Sequence, residues 1–227
     1  MEKKMGQRLA RIPRVLCLHG FRTSGKIFEK QTKVWPEFVR EKMDLVFIDA
    51  PFPAEGGLEE LGAEELFDPP LYEWFQANKD FSEYRNFNEC IAFVEDCMTR
   101  IGPFDGLMGF SQGAFLSAAL PGMQAEGVAL TNVPKIKFVM LIAGAKFGGS
   151  NMSSPKLAQN AFSSPIECLS LHFLGEKDFA LTTGIELLDS FVDPIVINHP
   201  QGHVVPKLDE KGSVTMIKFI EKVQEIL

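Results

Sequence analysis

Short, mainly apolar runs alternate with amphipathic stretches along most of the chain. Residues 15–18, 45–48, 104–108, 136–143, 168–174 and 195–198 are mainly apolar runs of strand length, and such runs suit strands buried on both faces. Between them, residues 26–40, 86–101, 112–124, 181–190 and 209–227 carry apolar side chains at helical spacing. This alternation predicts an α/β fold: a mainly parallel sheet of about six strands, helices on both faces and right-handed crossovers. Loops that carry chemistry then gather at the C-terminal ends of the strands.

One interval breaks the rhythm. Residues 50–85 hold no convincing strand, yet Phe67, Tyr72, Trp74, Phe75, Phe81 and Tyr84 crowd a segment rich in Pro and Glu. A connection of this length is usually functional, and its aromatic content argues against disorder. It reads as a cap inserted into a single domain spanning 1–227, with Tyr72, Trp74 and Phe75 as candidate walls of an apolar acyl pocket. The same rings could instead pack the insertion onto the domain. A second stretch, 148–165, is rich in Ser, Pro and Asn and could line the mouth of a site.

Composition narrows the partners. At 227 residues and 45% hydrophobic, the chain can bury a substantial core. A net charge of −7, from 23 basic against 30 acidic residues, argues against a nucleic-acid surface, which needs clustered Lys and Arg. No apolar run approaches the roughly 20 residues that span a bilayer. The basic N-terminus is followed by too short an apolar run for a signal peptide. The expectation is a cytoplasmic protein, with access to the nucleus left open. Cys17, Cys90, Cys97 and Cys168 lack paired metal-ligand spacing and read as reduced core residues.

The chemistry centres on "LMGFSQGAFLSAAL", residues 107–120. Gly109, Ser111 and Gly113 form G-x-S-x-G at a strand-to-helix junction, the pattern of a nucleophile elbow. The plainer alternative is a serine that caps the helix. A serine nucleophile needs a histidine base oriented by a carboxylate, here in the chain order Ser, acid, His. His203, in the loop "HPQGHVVP" after the last strand, is better placed than His172 inside a strand or His199 at a strand end. For the acid, "HFLGEKDFAL" offers Glu176 and Asp178 beyond a buried strand. Asp178 is preferred; Asp189 and Asp193 flank the opposite end of the sheet. The oxyanion formed during acyl transfer needs backbone N–H donors, and those of Gln112, after the serine, and Phe21, in "HGF" after the first strand, suit that task. The chemistry requires no metal and no organic cofactor.

A rival reading starts from the same loop. Gly20 to Lys26 fits G-x-x-x-x-G-K, and "LVFID" downstream ends an apolar strand in aspartate, as in a nucleotide-binding P-loop. The next residue, Ile27, lacks the hydroxyl that holds Mg²⁺ there, which weighs against a P-loop NTPase.

The segments "LCLHGFRTSG", "LMGFSQGA", "FLGEKD" and "GHVVP" together resemble the FSH family of serine hydrolases over residues 12–225. The opening motif His19 to Phe28 is more distinctive than the elbow, and "PPLYEWF" is similar to the family's cap region. The resemblance implies an α/β-hydrolase fold whose sheet lacks the first strands, carboxylesterase or thioesterase activity, and Ser111, Asp178 and His203 as nucleophile, acid and base. "LIAGAKF" departs from it: many members carry Ser-Gly where Ala143-Gly144 stand here. The expected partner is a small acyl ester or thioester, favouring apolar, medium-length acyl groups; oligomeric state is left open. The alternative is a different class of function, a small-molecule receptor retaining a slow hydrolytic site, since a complete set of catalytic groups shows chemical capacity and says nothing of its use.

Overall fold

The structure is a computed structural model that describes residues 11–54 and 69–227. In chain order the elements are β1 (Arg14–Leu18), α1 (Gly25–Thr32), α2 (Glu37–Arg40), β2 (Asp44–Ile48), β3 (Phe52–Pro53), β4 (Tyr72–Glu73), β5 (Gln76–Ala77) and β6 (Tyr84–Arg85). There follow α3 (Phe87–Ile101), β7 (Gly106–Phe110), α4 (Gln112–Ala125), β8 (Phe138–Ile142), β9 (Leu169–Gly175), α5 (Leu181–Leu188), β10 (Ile195–His199) and α6 (Glu210–Glu225). A 3-10 turn at Lys156–Ala158 lies between β8 and β9.

Six of these strands form one sheet in the order β10-β9-β8-β7-β1-β2, every neighbouring pair parallel. The chain builds outward from β1 to β2, then returns to place β7 on the other side of β1 and continues outward through β8, β9 and β10. The winding therefore reverses between β1 and β7. In open α/β sheets the crevice beyond the strand ends at this point is the ordinary place for a ligand. The two loops singled out in the sequence, after β1 and after β7, flank it.

Strand side chains divide between two cores. Along β8, Phe138, Met140 and Ile142 join Phe173, Met216 and Phe219 on one face, while Val139 and Leu141 join Leu107, Leu116 and Leu120 on the other. Every residue of β7 and β8 is buried. Each large apolar side chain so buried contributes roughly 1.5–3 kcal/mol, and this is why the strands read as unbroken apolar runs.

The expected helix over 26–40 is two helices. Pro36 has no N–H to donate and disfavours helical backbone at the residue before it, so α1 ends and α2 restarts after the proline. Between them Trp35 turns into the core, where it stacks on Phe173 at 5.6 Å and donates from Nε1 to the Pro206 carbonyl at 2.9 Å. The strand expected over 104–108 lies two residues later, at Gly106–Phe110. Asp105 is engaged instead by Arg11 at 2.6 Å and by the Arg14 N–H at 2.9 Å.

Two antiparallel pairs, β3 with β4 and β5 with β6, occupy the described part of the 50–85 interval. At two residues each they are too short to show periodicity. Phe67 and the remainder of 55–68 lie outside the described residues. The 148–165 stretch is tied to this interval: the Tyr84 hydroxyl donates to the Ser153 carbonyl at 2.8 Å, and the Ser153 N–H donates to the Phe81 carbonyl at 3.0 Å.

Candidate active site

Ser111 joins β7 to α4 with φ 52° and ψ −118°. A positive φ at a residue with a Cβ costs on the order of 1–3 kcal/mol and persists only where the surroundings impose it. They do so here. A Cβ on Gly109 would lie 2.2 Å from the Gly113 carbonyl oxygen, and one on Gly113 would lie 2.1 Å from that of Leu18. Both glycines are therefore required by close approach, and the second wedges the turn against the exit of β1. The Ser111 N–H donates to the Ile142 carbonyl at 3.0 Å, holding the turn to β8.

Ser111 Oγ lies 2.9 Å from Nε2 of His203, whose Nδ1 lies 2.8 Å from Asp178 Oδ1. An ionised carboxylate only accepts, so Nδ1 carries a proton and Nε2 is left to accept from the serine hydroxyl. Asp178 is nearly enclosed, its side chain 2% exposed against 21% for His203, and the Ala180 N–H donates to the same Oδ1 at 2.8 Å. Two aromatic rings neighbour the imidazole: buried Phe110 at 5.2 Å and Phe179 at 4.4 Å, stacked within 26°.

The loop after β1 is fixed by a histidine that the sequence reading left without a role. His19 is fully buried, and its Nε2 accepts from the Ala50 N–H at 3.0 Å. Nδ1 is therefore the protonated nitrogen, and it donates to the Gly20 carbonyl at 2.8 Å. Burial lowers the pKa of this imidazole to about 4, so the ring is neutral in ordinary buffers. Thr23 Oγ1 also donates to the Gly20 carbonyl, at 2.7 Å. The peptide that ends in the Phe21 N–H is thus held on its carbonyl side by two donors. Among the described residues, neither the Phe21 nor the Gln112 N–H is engaged in a backbone hydrogen bond outside the regular ladders.

Several tethers join this assembly to residues 72–75. The Tyr72 N–H donates to the Thr23 carbonyl at 2.8 Å, and Arg22 pairs with buried Glu73 at 2.9 Å. The Gln112 side chain accepts from the Trp74 N–H at 3.0 Å and donates to the Phe75 carbonyl at 2.8 Å. Arg22 and Glu73 lie 51 residues apart, a pairing that no local pattern reveals.

Residues 9–214 match the family described as serine hydrolase (FSH1). The chain belongs to that family. Relatives of this FSH1 protein include human "Esterase OVCA2", 28% identical with 93% of this chain and 97% of the relative covered. The zebrafish (Danio rerio) "Esterase OVCA2" is 30% identical, with 85% and 90% covered. Among solved structures, Zea mays acyl-protein thioesterase 2 superposes with a TM-score of 0.60 at 16% identity, covering 96% of each chain. Arabidopsis thaliana SOBER1 gives 0.55 at 16% identity, covering 93% of this chain and 98% of that one. The fold is that of the α/β hydrolases, and the protein is a serine hydrolase.

The remaining candidates fall elsewhere in this FSH1 chain. His172 is buried within β9, its Nε2 3.0 Å from Ser170 Oγ and its pKa lowered by burial to about 4. His199 is buried at the end of β10, while Glu176, Asp189 and Asp193 are exposed. Lys26 is exposed, and the start of α1 is already capped: Ser24 Oγ accepts from the Ile27 N–H at 3.3 Å and Asp49 Oδ1 from the Gly25 N–H at 2.8 Å. A carboxylate thus stands where a P-loop would hold phosphate, against the nucleotide reading.

The placement of the aromatic candidates is a correction. Trp74 and Phe75 are 0% and 1% exposed and present no surface to a substrate. Phe75 packs with Phe87, Phe147 and Tyr84 at 5.5–5.8 Å. Tyr72 is partly buried beside Thr23. Among the described residues no helix is long and apolar enough to cross a membrane, and no cluster of His, Cys, Asp and Glu is arranged to hold a metal. Cys17, Cys90, Cys97 and Cys168 are free thiols.

Proposed function

We propose that the protein hydrolyses carboxylic esters or thioesters through an acyl-enzyme on Ser111. The observation that carries the reading is the hydrogen-bonded chain from Ser111 Oγ through His203 to Asp178, at 2.9 and 2.8 Å, beside the crevice where the sheet reverses its winding. His203 Nε2 takes the hydroxyl proton as Oγ attacks the carbonyl carbon, and Asp178 stabilises the imidazolium. The N–H groups of Phe21 and Gln112 donate to the oxyanion. As the tetrahedral intermediate collapses, Nε2–H passes its proton to the departing alcohol or thiol. Water, deprotonated by the same nitrogen, then attacks the acyl-enzyme, releasing the acid and restoring Ser111. The names of the OVCA2 relatives support ester substrates.

Apolar, medium-length acyl groups are the proposed preference. Phe21 and Tyr72, partly exposed at the loop after β1, offer apolar surface for them in place of the buried Trp74 and Phe75. The test is a panel of p-nitrophenyl esters and thioesters of graded acyl length, with a fluorophosphonate probe to identify the labelled serine. Multiple turnover with labelling confined to Ser111 is expected. A single turnover followed by ligand-dependent binding of another protein would favour the receptor reading.

A further inference from the structure

We infer that Phe179 determines specificity for the alcohol or thiol half of the substrate, its ring forming the platform on which an apolar leaving group rests. The inference builds on the hydrolase reading and names the half of the substrate that the reading leaves open.

Phe179 is 85% exposed, more than any other large apolar side chain among the described residues. It is nevertheless held in place. The Asp178 N–H donates to the Gly175 carbonyl at 3.1 Å, the Asp178 carbonyl accepts from the Leu181 N–H at 3.1 Å, and the Ala180 N–H donates to the Asp178 carboxylate at 2.8 Å. The main chain is therefore fixed on both sides of the residue. Its ring lies nearly parallel to the His203 imidazole, with centroids 4.4 Å apart. Much of an aromatic surface is left in water beside the reactive nitrogen, whereas the other aromatic neighbour, Phe110, is 6% exposed and has no such surface to offer.

Chemistry decides which half of the substrate meets this ring. The carbonyl oxygen must point toward the N–H donors, and the acyl chain can leave in any direction the crevice allows. The leaving oxygen or sulfur has no such freedom, because it must come within hydrogen-bond reach of Nε2 to receive its proton. The first few carbons attached to it therefore lie beside the imidazole and reach the stacked ring. An aryl or extended alkyl group covers the Phe179 face and removes apolar surface from water, while a methyl group is too short to do so.

The experiment uses two ester series on the full chain. In the first, acetates of methanol, butanol, benzyl alcohol and naphthylmethanol vary only the leaving group, with alkoxides of similar basicity. In the second, methyl esters vary only the acyl chain. In the unmodified protein kcat/KM should rise from methyl to benzyl acetate. Phe179→Ala should reduce the benzyl-to-methyl ratio by about fivefold, while the hexanoyl-to-acetyl ratio in the second series is preserved. Phe179→Leu should retain the preference for butyl over methyl and lose that for benzyl over butyl. An unaltered benzyl-to-methyl ratio in Phe179→Ala, or an equal loss on every ester, would overturn the inference while leaving the hydrolase reading intact. An unmodified protein that turns over none of the esters would remove both.

Discussion

The indole Nε1 of Trp74 donates to the main-chain carbonyl of His19 at 2.8 Å. The residue that opens the loop after β1 is thereby tied to a side chain 55 positions away, with no exposed surface of its own. Trp74→Ala should cost about 3–5 kcal/mol of stability by emptying a filled site, and it should lower activity equally on short and long acyl esters. Trp74→Phe keeps most of the ring and loses the donor, isolating the hydrogen bond. Melting curves and an acyl-length profile check both. A loss confined to long acyl chains would return Trp74 to the pocket wall.

Ser111→Ala should abolish fluorophosphonate labelling and lower kcat by about three orders of magnitude or more, since members of such a unit contribute on this scale. Mass spectrometry of the labelled peptide checks the assignment, and label on another serine would refute it.

His203→Ala should approach the same floor, and Asp178→Asn should fall by about four orders, because the amide no longer favours the tautomer in which Nε2 accepts. His199→Ala should retain turnover and fluorophosphonate labelling of Ser111. A loss as large as that of His203→Ala would move the base assignment.

Stability should also depend on pH through the buried imidazoles of His19, His172 and His199, each with its pKa lowered by burial. Burial holds His19 and His172 near a pKa of about 4 against an ordinary 6.5, so the unfolded chain binds more protons between those values. The stability that they contribute is complete above about pH 6.5 and is lost as pH falls through 4. Burial lowers the pKa of His199 as well, so chemical denaturation across this window should show a slope of at least about two protons, and His172→Leu should reduce that slope by about one.

Lys26→Ala should leave ester hydrolysis intact, and calorimetry with Mg²⁺ should show no ATP or GTP binding, since Ser24 and Asp49 already cap α1. Tight magnesium-dependent binding would contradict the assignment of that loop.

What the sequence could disclose depended on the range of the forces involved. The strand runs were legible because burial on both faces leaves local marks, and the strand–loop–helix grammar brought forward Ser111, Asp178 and His203 as candidates, which the fold places within hydrogen-bond reach of one another. The break at Pro36 carried a local signal as well, but the apolar spacing across 26–40 overrode it. Trp74 and Phe75 misled because aromatic content marks burial and ligand contact alike. The Arg22–Glu73 pair and the two bonds from Gln112 to Trp74 and Phe75 could not be read, since each joins segments related only by the folded chain. Phe179 was overlooked for the opposite reason: one aromatic beside a candidate acid carries no pattern, and only its exposure over His203 distinguishes it.

Ser111 and His203 are separated by 92 residues, and the histidine sits beyond β10, the edge strand and the last of the sheet in sequence. On the proposed assignment, a chain in which β10 has not docked holds the elbow between β7 and α4 but has no base beside its serine. Covalent capture at Ser111 would then require molecules in which β10 is in place. Followed over time during refolding, that capture would report the docking of β10, whatever its place in the order of folding.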